Sequence, residues 1–242
     1  MAKQLAKTEE TALAIPQPGA PLGLEEVKDD EDLIIPRFRV VQPTSKMSEE
    51  AGEFHNNLTN ATKPTLRCAL MRLSRTRVYW DPKDLTAPPL CASNDAKEPR
   101  PEYNENSWIP ETGQCADCVK SKWHANGDKP ACALGYTFLG IDLDEGMPFF
   151  INLGRTSART AKQIISAFVL RKEALFSRPI ILTTEKMEDE RGKWYVVRQE
   201  IGEPLTPEDH AAAMVWFEQL GGVEIAPDLS QEAPPEDEEI PF

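Results

Sequence analysis

Four of the chain's five cysteines fall in one stretch, CASNDAKEPRPEYNENSWIPETGQCADCVKSKWHANGDKPAC, running from Cys91 to Cys132. Cys115 and Cys118 form a C-x-x-C pair, with 23 residues between Cys91 and the pair and 13 between the pair and Cys132. A pair of this kind lets two thiolates reach one ion from a tight turn, and two more complete a tetrahedron. Thiolate is a soft ligand that suits Zn²⁺. Four of them leave no open coordination position, so the expected zinc site is structural. From 81 to 131 the chain is rich in Pro, Gly, Asn and Asp and poor in aliphatic residues. A loop of that length cannot order itself by core burial and wants a staple. Zinc supplies roughly 10–16 kcal/mol of folding free energy in small peptide sites. The competing reading is a redox pair at Cys115 and Cys118, but a thioredoxin-like strand-and-helix context is missing. His124 could displace one cysteine as a ligand, although a solvated loop histidine is the simpler reading. Cys68, alternating with Leu66 and Leu70, reads as a core residue.

A second chemistry comes from cations interleaved with aromatic rings. Arg72, Arg75 and Arg77 run along TLRCALMRLSRTRVYW (65–80), which contains no acid and ends in Tyr79 and Trp80. Arg75, Arg77 and Tyr79 are spaced by two, so a strand would place them on one face. Binders of single-stranded nucleic acid pair a cationic groove with aromatic platforms. Each stacked base is worth about 1–3 kcal/mol, and the phosphates add a salt-dependent part. Arg155, Arg159 and Lys162 form a second basic cluster. Lys120, Lys122 and Trp123 lie in the cysteine loop, and Trp194 lies in a later strand. These residues are the candidate DNA contacts, and Phe38, Phe149 and Phe168 read as core.

The elements that must position these groups are mostly strands. RFRVVQ (37–42) alternates cationic and apolar residues. In 65–80 the parity breaks, because Leu66, Cys68 and Leu70 share one face and Leu73 falls on the other. That slip predicts a bulge that bends a long strand. YTFLGIDLD (136–144) and PFFINLG (148–154) read as a hairpin around Glu145-Gly146-Met147, and PIILTTEKME (179–188) and KWYVVRQEI (193–201) as another. SARTAKQIISAFVLRK (157–172) reads as a helix with Ser157 as N-cap, and Thr206-Pro207-Glu208-Asp209 opens a second that Gly221-Gly222 closes. The fold class is mainly β with helices, an α+β chain. Five or six strands, one of them bent, with a helix between the middle and last pairs fit an OB-fold-like barrel. A mixed sheet packed on two helices is the alternative. The expected organisation is a disordered acidic arm at 1–32, a binding domain at 33–223 with a zinc-loop insertion at about 85–135, and a disordered acidic tail at 224–242.

Net charge is -13, yet 1–32 carry -5 and 224–242 carry -7, which leaves the body close to neutral. Acidity confined to the ends does not exclude a local basic groove, because fields are screened over about 8 Å at physiological salt. No apolar stretch approaches the length of a bilayer span, and the N-terminus lacks the apolar segment of a secretory signal. The expected location is the cytoplasm, that of the host cell for a phage-encoded chain. Its reducing conditions favour metal or core roles for cysteine. His55, His124 and His210 are widely scattered. Without an acid–histidine motif, P-loop or nucleophile elbow, the chain does not read as an enzyme.

The chain ends PEDEEIPF, an acidic run Glu236-Asp237-Glu238-Glu239 followed by Ile240, Pro241 and Phe242. This terminus resembles the C-terminal tail of bacterial single-stranded DNA-binding proteins, over about the last seven residues. The resemblance implies that Pro241 and Phe242 dock in a pocket on replication and repair proteins while the acids from Glu236 to Glu239 meet a basic rim. The body is similar in plan to phage single-stranded DNA-binding proteins of the T4 helix-destabilising type, which carry zinc inserted in an OB-fold. Two departures stand out: the zinc set of that type includes a histidine, and its basic N-terminal motif has no counterpart in this acidic arm. The implied partners are single-stranded DNA and a polymerase, helicase or nuclease. The implied role is to coat DNA during replication or recombination. The tail is further expected to compete for the groove until DNA releases it. The alternative is a zinc-ribbon adaptor or mediator that touches DNA weakly.

Overall fold

A computed structural model describes residues 34–229, apart from positions 46, 48, 49, 85, 86, 126 and 191. The N-terminal arm at 1–32 and the terminal residues Glu236–Phe242 lie outside the described residues. Among those described are nine strands: β1 (Arg37–Val40), β2 (Phe54–Asn56), β3 (Thr62–Lys63), β4 (Leu66–Tyr79), β5 (Cys91–Ser93), β6 (Cys132–Asp142), β7 (Pro148–Asn152), β8 (Ile180–Asp189) and β9 (Gly192–Ile201). Two α-helices accompany them, α1 (Ala158–Arg171) and α2 (Pro207–Gln219). The protein is mostly β with two helices, as its alternation patterns predict.

All nine strands belong to one curled sheet in the order β3-β2-β1-β7-β6-β4-β8-β9, with β5 added to β4. Neighbours are antiparallel except β1 and β7, which run parallel. The 14-residue β4 is the spine. Its pairing with β6 slips between Leu70 and Arg72, where the change of parity predicts a bulge. That bend lets the first part of β4 pair with β8 and the last part with β5.

The sheet wraps a core of Phe38, Phe54, Leu66, Cys68, Leu70, Phe138, Phe149, Ile151 and Leu182, with Ala161, Ile164 and Phe168 of α1 completing it. Cys68 is fully buried there, and burial raises its thiol pKa strongly. The free edge of β9 curls back toward β1 without a ladder of strand bonds. Instead Gln42, just past β1, accepts from Tyr195 N–H at 2.9 Å and donates to Tyr195 C=O at 3.2 Å. Beside it, Ser157 Oγ accepts from Val197 N–H at 3.1 Å, and Thr160 Oγ1 donates to Val197 C=O at 2.6 Å. Side chains thus satisfy the backbone groups that an edge strand would leave open. Ser157 stands at the N-cap of α1 as predicted, but its hydroxyl makes no cap bond and serves this seam instead. Thr206 does cap α2, accepting from Asp209 N–H at 3.1 Å.

A second core lies on the outer face of the sheet. Ala69, Met71, Leu139, Ile141 and Phe150 meet Phe176, Ala213, Leu220 and Ile225 there. The chain beyond α2 continues across this face as a strap. Arg72 NH1 donates to the carbonyls of Leu220, Gly221 and Val223 at 2.8–2.9 Å. Arg37 donates to Ala226 C=O at 3.0 Å, and Arg39 makes a two-pronged pair with Asp228 at 2.6 and 2.9 Å. The packed body therefore reaches Leu229, past the boundary at 224 that the proline and acid content suggests. Ile225, Pro227 and the arginines of β1 supply the burial and charge pairing that composition alone cannot reveal.

Candidate nucleic-acid interface and cysteine centre

The long connection between β4 and β6 carries the cysteines. β5, β4 and β6 lie side by side at its root, with Cys91 opposite Tyr79 and Tyr79 opposite Cys132. Two of the four thiols are thereby fixed by sheet register on either side of one ring. The other two come from a turn. Cys118 N–H donates to Cys115 C=O at 3.3 Å, Cys115 N–H donates to Lys97 C=O at 2.6 Å, and the Ser121 hydroxyl caps both cysteine carbonyls. Tyr103, Trp108 and Ile109 of the loop pack on Tyr79, Cys91 and Cys132 as a small third core.

All four thiols are buried and free of disulfides, and all four line one cavity of about 20 Å³ with Pro99, Ile109, Pro110 and Ser121. That volume is close to one water-sized sphere. His124 is exposed and is not among the lining residues. No group of three or more His, Cys, Asp or Glu side chains, as placed among the described residues, meets the geometry for holding a metal ion. The donor set itself is uniform: four thiols, no carboxylate. Burial, reinforced by the neighbouring Cys115 and Cys118 thiols, pushes Cys91 up to about 11. Burial raises Cys132 to about 12 with Arg77 opposing, and Cys115 is raised by burial against the pull of the Ser93 hydroxyl and Arg77.

The candidate DNA contacts divide into engaged and open groups. Tyr79 is not a free platform. Only 9% exposed, it meets Trp108 edge-on with ring centroids 5.9 Å apart, and Lys120 Nζ sits 5.3 Å from its ring centre. The correction has a simple cause, since the cysteine loop folds over the end of β4 and makes that ring its core. Arg72 is likewise held by the end of α2, where the guanidinium meets carbonyls at the negative end of the helix. Arg77 donates through NH1 to Cys132 C=O at 2.9 Å. Trp80 and Trp194 are half-buried, and Trp194 Nε1 is enclosed without a hydrogen-bond partner.

Arg75, Lys122, Trp123, Arg155, Arg159 and Lys162 remain open to solvent. Arg75 lies opposite Tyr136 of β6, and Tyr136 exchanges backbone hydrogen bonds with Leu153, two residues before Arg155. The register therefore brings Arg75 and Arg155 to the same end of the sheet, the end from which the cysteine loop springs. Trp123, 67% exposed, is the loop's open aromatic. Sequence reasoning missed Trp108 and Tyr103 as loop core. The signal available was the apolar run Trp108-Ile109-Pro110 within an otherwise polar loop.

Fold and site together define a curled-sheet α+β protein with a four-cysteine loop inserted between its two longest paired strands. Comparison with protein families places the chain in the Pam3 phage gp34-like protein family, whose family model matches residues 7–224, and the chain belongs to that family. No curated protein and no solved structure matches it.

Proposed function

We propose that this protein binds single-stranded DNA during replication or recombination, on an OB-fold barrel whose first loop is stapled by zinc. The observation that carries the reading is connectivity. β4, β6, β7, β8 and β9 lie in the spatial order β7-β6-β4-β8-β9, and α1 joins β7 to β8. That is the order of a five-stranded Greek-key barrel of the OB type, with β1 filling the seam beside β7. The cysteine loop is then the connection between the first and second barrel strands, and the β8–β9 turn is the one between the fourth and fifth. OB-folds hold oligonucleotides with those two loops and the face of the second and third strands. α2 and the strap cover part of that face here, which leaves the loop end, with Arg75, Arg155, Lys122 and Trp123, as the proposed path for the polynucleotide.

What supports zinc is that four thiols, soft donors suited to that ion, line one cavity of about 20 Å³. Cys91, Cys115, Cys118 and Cys132 would hold it as thiolates, the form in which cysteine ligates a metal. The role is to hold the loop's shape. The tail beyond the described residues, ending in Ile240-Pro241-Phe242, would recruit a polymerase, helicase or nuclease.

The test is a tryptophan-fluorescence titration with oligo-dT and with duplex DNA across salt, with zinc measured on the same sample. Expected are quenching by the single strand, weaker duplex binding, a falling affinity with salt and about one zinc per chain. Replacing Trp123 by Ala should cost about 1–3 kcal/mol of binding. Absence of binding at low salt sinks the reading. It would favour the second one, an adaptor or mediator with weak DNA contact, which the internal engagement of Arg72, Arg77 and Tyr79 supports.

A further inference from the structure

We infer that Arg77 is the outer-shell cation of the cysteine centre rather than a contact for phosphate. The inference rests on the zinc reading above and extends it to a residue outside the ligand set. Residues two apart on a strand share a face, so Arg75, Arg77 and Tyr79 form a row along the end of β4. The three meet different surroundings. Arg75 is exposed, Tyr79 is enclosed between Cys91 and Cys132, and Arg77 stands between them.

Arg77 reaches toward the thiols. Its NH1 donates to Cys132 C=O at 2.9 Å, and its charge acts on the Cys115 and Cys132 side chains. Its Nε–H is fully enclosed and has no hydrogen-bond partner. A buried donor left unpaired is costly, and guanidinium donors cannot be deprotonated away. Four thiolates on one divalent ion leave a surplus of negative charge and a set of sulfur acceptors in the same small space. Arg77 supplies what that arrangement lacks, a fixed positive charge and an N–H with nothing else to donate to. Ser93 stands opposite Arg77 in β5, with its hydroxyl donating to Asp95 at 3.1 Å. Outer-shell groups orient ligands and tune the metal, and their loss typically costs 10–100-fold in metal affinity. The reading also separates two arginines that look equivalent in the sequence: Arg75 serves the polynucleotide, and Arg77 serves the metal.

The experiment uses the full-length chain reconstituted with Co²⁺, as wild type, R77Q, R77K and R75Q. Affinity is read by competition with a chromophoric chelator, the centre by its thiolate-to-cobalt absorption, and DNA binding by oligo-dT titration. R77Q should bind Co²⁺ about 10–100-fold more weakly with a shifted charge-transfer band, and R77K, which keeps the charge without the fork, should recover part of the affinity. R75Q should leave affinity and spectrum unchanged and weaken only DNA binding. Wild-type cobalt affinity and an unshifted band in R77Q would overturn the assignment. A wild-type chain that gives no four-thiolate spectrum would overturn the zinc reading itself, a different and separately visible failure.

Discussion

Lys63 closes the first hairpin over the mouth of the main core, with its ammonium 4.9 Å from the Phe38 ring centre. It pairs with Asp142, which is 1% exposed, and with Glu145 at 3.1 Å. Burial works against the lysine's charge, but the hydrogen bonds and charges of Asp142 and Glu145 outweigh it and raise the Lys63 pKa. A raised cation pKa stabilises the fold fully below the unfolded value, about 10.4 for lysine, and the contribution fades as pH climbs through the folded value. Lys63→Met strands a buried carboxylate and should cost about 3 kcal/mol, the lower end for a broken buried pair because the lysine is partly exposed. Urea unfolding at neutral pH checks the magnitude. The wild-type advantage over the variant should shrink as the series is carried above the unfolded lysine value and through the raised folded one, and a constant gap would contradict the pairing.

The seam between β9 and β1 is the element on which barrel closure depends. Three side chains, Gln42, Ser157 and Thr160, replace a strand ladder there. Gly52 lets the adjoining loop approach, because a Cβ at this left-handed position (φ +100°) would lie 2.5 Å from the Tyr195 ring. Gln42→Ala removes two hydrogen bonds and leaves both Tyr195 backbone groups unpaired, an expected loss of about 1–3 kcal/mol. Hydrogen exchange should report it locally, with faster exchange at Tyr195 and Val197 and unchanged protection at Leu139 in the middle of β6. Uniform acceleration across the sheet would mean that the seam is no separate unit.

At the scale of the whole molecule, the strap carries the packed body past Glu224 as far as Leu229, the last described residue. Truncation before Glu224 removes buried Ile225 and the Asp228 partner of Arg39. It should cost about 2 kcal/mol or more from the isoleucine alone. Truncation after Leu229 spares both and should leave the unfolding midpoint unchanged. The shorter deletion therefore isolates the acidic terminus. It should tighten single-strand binding and abolish capture of a replication partner, as measured by oligo-dT titration and by pull-down with the purified partner. Unchanged affinity at low salt would remove competition by the tail from the mechanism.

Alternation, turn residues and the parity break between Leu70 and Leu73 were enough to place the six main strands, both helices and the bulge. These are local matters, set by which face each side chain must bury. The cysteine spacing likewise marked four thiols as one group, and they do share a cavity. Fates that depend on distant chain were not legible. Tyr79 and Arg75 carry the same period, yet the loop folds over one and leaves the other in solvent. Arg72 reads as a phosphate hook until α2, some 150 residues later, ends against it. Gln42, Ser157 and Thr160 look like ordinary polar residues until β9 arrives with unpaired backbone groups. Periodicity assigns a side chain to a face of its own strand, and only the packing of remote segments decides what that face meets.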